Sequence, residues 1–335
     1  MPYTNRQWKL TRRPSGMVSR DDFDLATVTI PDLADGQAVA RVRYLSIDPT
    51  MRIWMADIPQ YMPPVALGEV MRSFGIAEVL ESRNPNFKKG DKLLGFTGLQ
   101  EYIVVDGQEK RPFQKVPSIP FVSDSAFLGV LGLNGLTAYF GMMDIAKPQK
   151  GETLVVSAAA GATGSIVGQI GKIHGCRVVG IAGGEEKCRW LLDDLGFDAA
   201  VNYKQPDWKE KLAAATPKGV DIDFENVGGE IMNAVLDRMN LFGRVVVCGL
   251  ISGYNRQDPG LASFATILIK RLRVQGFILL DYAPRFMEAA TELGKWKMFG
   301  KLKDRETVVE GFEKALDAIN MLFTGANIGK TIVKL

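Results

Sequence analysis

The chain has 335 residues, 46% hydrophobic and 24% charged, and a formal net charge of +3. Such proportions are those of ordinary globular proteins, which excludes disorder and low complexity, and at about 100–200 residues per domain the length favours two domains. Basic residues are dispersed rather than gathered into a stripe, which argues against nucleic acid or a membrane as partner and for small molecules.

In chain order, the segment Met1 to Gly16 is polar and basic and lacks the apolar stretch of a secretory leader. The three cysteines, Cys176, Cys188 and Cys248, are odd in number and widely spaced. Both features fit reduced thiols and a cytoplasmic location. From Gln37 to Val116 short β-rich runs, Ala38–Tyr44, Gly75–Leu80, Lys92–Phe96 and Tyr102–Val105, alternate with turn residues such as Gly36, Asn84–Pro85 and Lys89–Gly90–Asp91, which predicts an all-β module. The uncharged stretch Ser125–Met143 is interrupted by Gly129, Gly132, Asn134, Gly135, Thr137 and Gly141 and is expected as a buried helix and turn, not a membrane span.

From Thr153 the texture changes. Apolar runs Thr153–Ser157, Arg177–Ile181, Ala199–Asn202, Ile222–Glu225, Arg244–Cys248 and Val274–Leu279 alternate with amphipathic segments such as Glu185–Leu195, Trp208–Ala215 and Gly229–Asn240. Alternating βα units of this kind predict a parallel, doubly wound Rossmann sheet. Pro284–Phe299 and Val308–Phe323 then read as helices, and Thr331–Leu335 as a closing strand that rejoins the first domain.

The turn after the first parallel strand runs Ala158-Ala159-Ala160-Gly161-Ala162-Thr163-Gly164 and opens a helix. Ala159, Gly161 and Gly164 occupy the three positions of a G-x-G-x-x-G fingerprint, which cradles a pyrophosphate at a helix amino terminus. NAD enzymes carry an acid at the end of the next strand to hold the ribose 2′-hydroxyl. Here stand Ala182, Gly183 and Gly184, with Lys187 in the following helix and Tyr203 after the third strand. A cation and a hydroxyl in place of an acid fit the 2′-phosphate of NADP.

Zinc catalysis needs three protein ligands and a structural zinc usually four, and the chain offers one histidine, His174, and no C-x-x-C pair. His174 falls at a helix end, where a plain structural role suffices. With no metal or histidine to activate an isolated carbonyl, an acceptor that is already electrophilic, a conjugated C=C, fits best.

These residues resemble the zinc-independent medium-chain dehydrogenases/reductases, in the branch of alkenal double-bond reductases and prostaglandin reductases. The likeness runs through Tyr44-Leu45-Ser46-Ile47-Asp48-Pro49-Thr50-Met51-Arg52, Gly135-Leu136-Thr137-Ala138-Tyr139, the phosphate loop, Glu225-Asn226-Val227-Gly228-Gly229, Cys248-Gly249-Leu250-Ile251-Ser252-Gly253-Tyr254-Asn255 and Asn327-Ile328-Gly329-Lys330. It implies an α/β protein in which a Rossmann domain, residues 123–291, is inserted into a GroES-like β-rich catalytic domain, residues 1–122 completed by 292–335, with the active site in the cleft. It further implies NADP contacts from Asn134, Thr137, Ala160, Gly161, Ala162, Thr163, Gly164, Gly183, Lys187, Tyr203, Asn226, Cys248, Leu250, Ser252, Tyr254, Phe277 and Asn327. On the substrate side it implies Arg52, Trp54 and Tyr61, with Tyr254 catalytic, and a homodimer.

The residues themselves leave simpler roles open: Asn226 and Asn327 also suit loop-backbone satisfaction, and Cys248 buried packing. Trp54, Tyr61, Met62, Phe96, Tyr254 and Tyr282 suit a lipophilic pocket, and several equally suit a core. Relatives usually have tyrosine where Thr50 stands and M-P-G where this chain has Leu133-Asn134-Gly135, which bears on substrate preference. The function expected is NADPH-dependent reduction of the C=C bond of small lipophilic enals or enones. The alternatives are a zinc-free NADPH:quinone oxidoreductase and, outside enzymology, a protein that only binds NADPH.

Overall fold

The computed structural model describes residues 3–107, 113–119, 122–256, 260 and 264–335, so residues 108–112 of the expected β module lie outside it. The chain forms two compact units.

The first unit comprises Met1–Leu128, Glu306–Asn327 and Thr331–Leu335. Its seven-stranded sheet runs, in spatial order, Glu306–Glu310, Lys330–Lys334, Ala38–Ile47, Phe74–Ser82, Lys92–Phe96 and Gln114–Lys115, with Tyr102–Val105 also paired to Ala38–Ile47. The four predicted β runs are all strands, two of them extended by a few residues. An antiparallel hairpin of Tyr3–Leu10 and Phe23–Ile30 precedes them. It escapes a pattern reading because its buried positions, Asn5, Trp8 and Leu10, are scattered among charged neighbours.

One predicted element is wrong. Val308–Phe323 is not a single helix but strand Glu306–Glu310, a tight turn over Phe312–Lys314 and helix Ala315–Thr324. Gly311 breaks it with φ 102° and donates its N–H to the Lys334 carbonyl at 3.0 Å, and the β-branched run Thr307-Val308-Val309 suits the sheet edge.

The second unit comprises Gly129–Arg305 and Ile328–Lys330. Helix Phe286–Met298 belongs here and not to the first unit, because it packs on helix Leu133–Phe140: the Tyr139 and Trp296 rings lie 6.1 Å apart. The chain therefore returns to the first unit at Glu306 rather than near residue 292. The six strands stand in the order Ala199–Asn202, Arg177–Ala182, Thr153–Val156, Val220–Glu225, Met239–Val247, Arg273–Gly276, each parallel to its neighbours. That is the 3-2-1-4-5-6 order of a Rossmann sheet, whose topological switch lies beside the first strand. One face carries a core of Val155, Val179, Val201, Val245, Leu212, Val235 and their neighbours. No helix among the described residues is long and apolar enough to cross a membrane.

Candidate functional site

Strand Thr153–Val156 leads through Ser157 and a turn in which Ala158 takes φ 47° into helix Ala162–Ile173, capped by an extended Gly161. A Cβ on Gly164 would stand 2.5 Å from the Ala158 carbonyl oxygen, and one on Gly168 would stand 1.9 Å from the Phe197 ring. Only glycine lets the helix start this close to the strand. The first-turn amides of Ala162, Thr163 and Gly164 have no acceptors within the helix and lie at the positive end of its dipole, which makes this terminus an anion cradle. Asn134 donates from Nδ2 to Thr163 Oγ1 at 3.3 Å, and Gly329 N–H donates to the Ala160 carbonyl at 2.8 Å. Thr137 turns its hydroxyl back onto the Leu133 carbonyl at 2.7 Å. Asn327 is buried just before Ile328–Lys330, the short segment that packs with this unit.

At the end of the second strand, a Cβ on Gly183 would meet the Tyr203 ring at 2.9 Å, the Tyr203 hydroxyl at 3.0 Å and Lys204 Cε at 3.1 Å. Gly183, Tyr203 and Lys204 thus crowd one spot, and Lys187 stands in the following helix, its pKa lowered by burial and then by the charge of Lys204. The nearby acids are turned elsewhere. Glu185 Oε1 accepts from Asn202 and Gln205, each at 2.9 Å, and Glu186 Oε1 accepts from Arg305 at 3.0 Å. Two ammonium groups and a phenol in this region, with the acids engaged elsewhere, suit a phosphate dianion. Lys204 was missed in the sequence; its only signal is adjacency to Tyr203.

The fourth strand ends in Glu225, and its backbone carbonyl accepts from Cys248 and Gly249 at 2.9 and 3.1 Å. Asn226 Nδ2 donates to the Ser157 carbonyl at 2.8 Å, so its amide does satisfy loop backbone. Cys248, beside these groups, has its thiol pushed up to about 12 by burial and by Glu225, so it stays protonated and is no nucleophile. Beyond it, Ile251–Gly253 make one tight turn that sets Tyr254. The Tyr254 hydroxyl accepts from the Leu250 N–H at 3.2 Å. Ser252 N–H is held by the Val227 carbonyl at 2.9 Å, and Phe277 lies edge-on to Tyr282, 6.2 Å between centroids. Tyr282 itself stacks on Phe140 at 4.5 Å.

In the first unit, Trp54 Nε1 donates to the Tyr61 hydroxyl at 3.0 Å, and that hydroxyl also pairs with Thr50 Oγ1. Phe96 stands edge-on to Trp54, 6.4 Å between centroids, and the Arg72 guanidinium covers the Trp54 ring at 5.2 Å. Trp54, Tyr61 and Phe96 thus form one aromatic group. Arg52 is committed differently: it is buried and donates from Nε to the Gly16 carbonyl at 3.0 Å and from Nη2 to that of Pro14 at 2.9 Å.

Among the described residues no group of three or more His, Cys, Asp or Glu is placed to hold a metal ion. His174 Nδ1 lies 2.9 Å from the Ile170 carbonyl, one turn back on its own helix.

Comparison with known proteins gives two family matches, described as N-terminal domain of oxidoreductase over residues 6–113 and as zinc-binding dehydrogenase over residues 162–295. The NADPH-dependent curcumin reductase of Escherichia coli (strain K12) is 44% identical over 99% of this chain and 97% of its own length. The 2-alkenal reductase (NADP(+)-dependent) of Nicotiana tabacum is 40% identical over 98% and 97%. The crystal structure of CurA in complex with NADPH from Vibrio vulnificus superposes with a TM-score of 0.92 at 43% identity, covering 98% of each chain.

Proposed function

The chain belongs to the zinc-independent medium-chain dehydrogenases/reductases, in their double-bond reductase branch, and from that premise we propose that it reduces the C=C bond of α,β-unsaturated aldehydes and ketones with NADPH. The observation that carries the cofactor is the acid-free end of strand Arg177–Ala182, where Tyr203 and Lys204 crowd Gly183 and Lys187 follows in the next helix. Gly161, Ala162, Thr163 and Gly164, with Ala160 and Asn134 behind them, hold the pyrophosphate at the helix terminus. Asn226, Cys248, Leu250, Ser252, Phe277, Thr137 and Asn327 line the remainder of the dinucleotide site. When bound, the reduced nicotinamide supplies a hydride.

Hydride arrival at the β-carbon of an enone drives negative charge onto the carbonyl oxygen, and the resulting enolate needs a donor already aimed at it. Tyr254 fills that role. A phenol is protonated at neutral pH, so the Tyr254 O–H can donate to the enolate oxygen and is the proton source for the enolate. Trp54 and Tyr61, aromatic rings with polar tips, are assigned to the substrate side, and so is Arg52, which pins the Pro14–Gly16 backbone. Enals and enones that carry lipophilic groups are therefore the substrate class. The test is an NADPH-consumption panel of enals, enones and quinones run with NADPH and NADH. Faster turnover of quinones than of every enone would favour the quinone reductase, and no turnover of any acceptor would leave a binding protein.

The three cysteines are unpaired, which supports a reducing, cytoplasmic location. A homodimer is supported by the edge strand Arg273–Gly276, open on its outer side in the described sheet, and by the helix before it. There Phe264, Leu268 and Ile269 are exposed, Leu268 at 79%, near exposed Leu241 and Phe242. A second copy docked strand to strand would cover this apolar face.

A further inference from the structure

Glu225 is fully buried, yet it lies at the end of a strand where an apolar residue would pack at no electrostatic cost. Its Oε1 accepts from three donors: Ser157 Oγ at 2.7 Å, Gly228 N–H at 2.8 Å and Val227 N–H. Ser157 Oγ in turn accepts from Asn226 N–H at 2.7 Å. One carboxylate oxygen and one hydroxyl therefore take every backbone N–H from Asn226 to Gly228. This matters locally because Gly228 and Gly229 hold φ 78° and 58°, a conformation whose amides no regular helix or strand would satisfy. The carbonyls of the same turn then hold the next loop: Asn226 accepts from Ile251 at 3.2 Å and Val227 from Ser252 at 2.9 Å. That loop ends in Tyr254.

We propose that Glu225 is a positioning residue: its buried carboxylate fixes the Asn226–Gly228 turn against Ser157 and, through that turn, sets the loop that aims Tyr254. The proposal rests on the function given above, in which Asn226 contacts the dinucleotide and Tyr254 the substrate. It accounts for a second feature. Asp223 lies two residues earlier on the same strand, also fully buried; burial raises the pKa of both acids, two such neighbours do not both ionise readily, and hydrogen-bond donors decide which one ionises first. The donors are all on Glu225. Neither Asp223 oxygen has a hydrogen-bond partner among the described residues.

The test compares Glu225→Leu, Tyr254→Phe, Lys187→Ala and the corresponding double variants. NADPH is titrated into cofactor-free protein by nucleotide fluorescence, and kcat is measured with a simple enone at saturating NADPH. Glu225→Leu should weaken NADPH and NADH alike, by about tenfold, the worth of one or two hydrogen bonds left unmade. It should also lower kcat, and adding Tyr254→Phe should lower kcat little further, since the phenol is already misaimed. Lys187→Ala, at the far end of the cofactor, should instead multiply with Glu225→Leu in NADPH affinity. Unchanged NADPH affinity in Glu225→Leu would overturn the proposal, as would a full Tyr254→Phe effect on kcat in that background. If Glu225→Leu does not fold, Ser157→Ala, which orphans the Asn226 N–H, takes its place with the same expectations. The titration needs no acceptor, so it stays readable if the enone reductase reading itself fails.

Discussion

Replacing Asp223 with valine should stabilise the protein, and increasingly so as pH rises. Asp223 has no exposed surface, its carboxyl oxygens have no partner among the described residues, and its register neighbours on either side are Val155 and Val245, both members of the apolar core. An unsatisfied buried polar group costs about 1–3 kcal/mol. Burial first, and then the charge of Glu225, raise the Asp223 pKa well above the ordinary carboxylate range. The folded state thus keeps a proton that the unfolded chain loses near pH 4, so stability is highest below that pH and declines as pH rises toward the folded-state pKa. Valine removes both costs and adds little volume, for a gain of about 1–3 kcal/mol at neutral pH after allowing for some repacking. At roughly 2–4 °C per kcal/mol for a large domain, the Tm of cofactor-free protein should rise by several degrees at pH 7, and by less at pH 5. Scanning calorimetry of both proteins at pH 5, 6, 7 and 8 checks this. A lower Tm for Asp223→Val, or a gain that shrinks with rising pH, would refute the reasoning.

Lys187→Ala should weaken NADPH by about tenfold or more and leave NADH nearly unchanged, since a charge-assisted contact to phosphate is worth about 1.5–3 kcal/mol; Lys204→Ala should do the same to a smaller degree, both read by titration with each nucleotide. Tyr254→Phe should cut kcat by about 10²–10³, the cost of one oxyanion donor, with NADPH affinity near that of the parent, as steady-state kinetics and nucleotide titration would show. Leu268→Glu, which sets a charge on the exposed helix beside the edge strand, should convert a homodimer to monomer by light scattering.

The Rossmann half was legible because its signals are local. Buried β-branched runs such as Arg177–Ile181, and the glycines at 161, 164 and 168, have steric requirements that read directly from residue type. The strand tip without an acid was legible for the same reason. Less visible was everything decided by burial. Asp221-Ile222-Asp223-Phe224-Glu225 alternates acids with apolar residues, yet Asp223 and Glu225 are both fully buried, so two acids are core residues, one of them organising the site. Arg52 sits in a motif that suggests a substrate contact, but its guanidinium serves carbonyls of a segment 36 and 38 residues earlier in the chain, which no spacing announces. The helix expected over Val308–Phe323 failed because the periodicity of Leu316 and Ile319 was carried back across Gly311, whose positive φ ends a strand.

The central claim, hydride transfer to carbon rather than to the carbonyl, is tested most directly by supplying NADPH deuterated at C4 with an α,β-unsaturated aldehyde and identifying the product. The account predicts a saturated aldehyde with deuterium on its β-carbon. An allylic alcohol with deuterium on the former carbonyl carbon would contradict it.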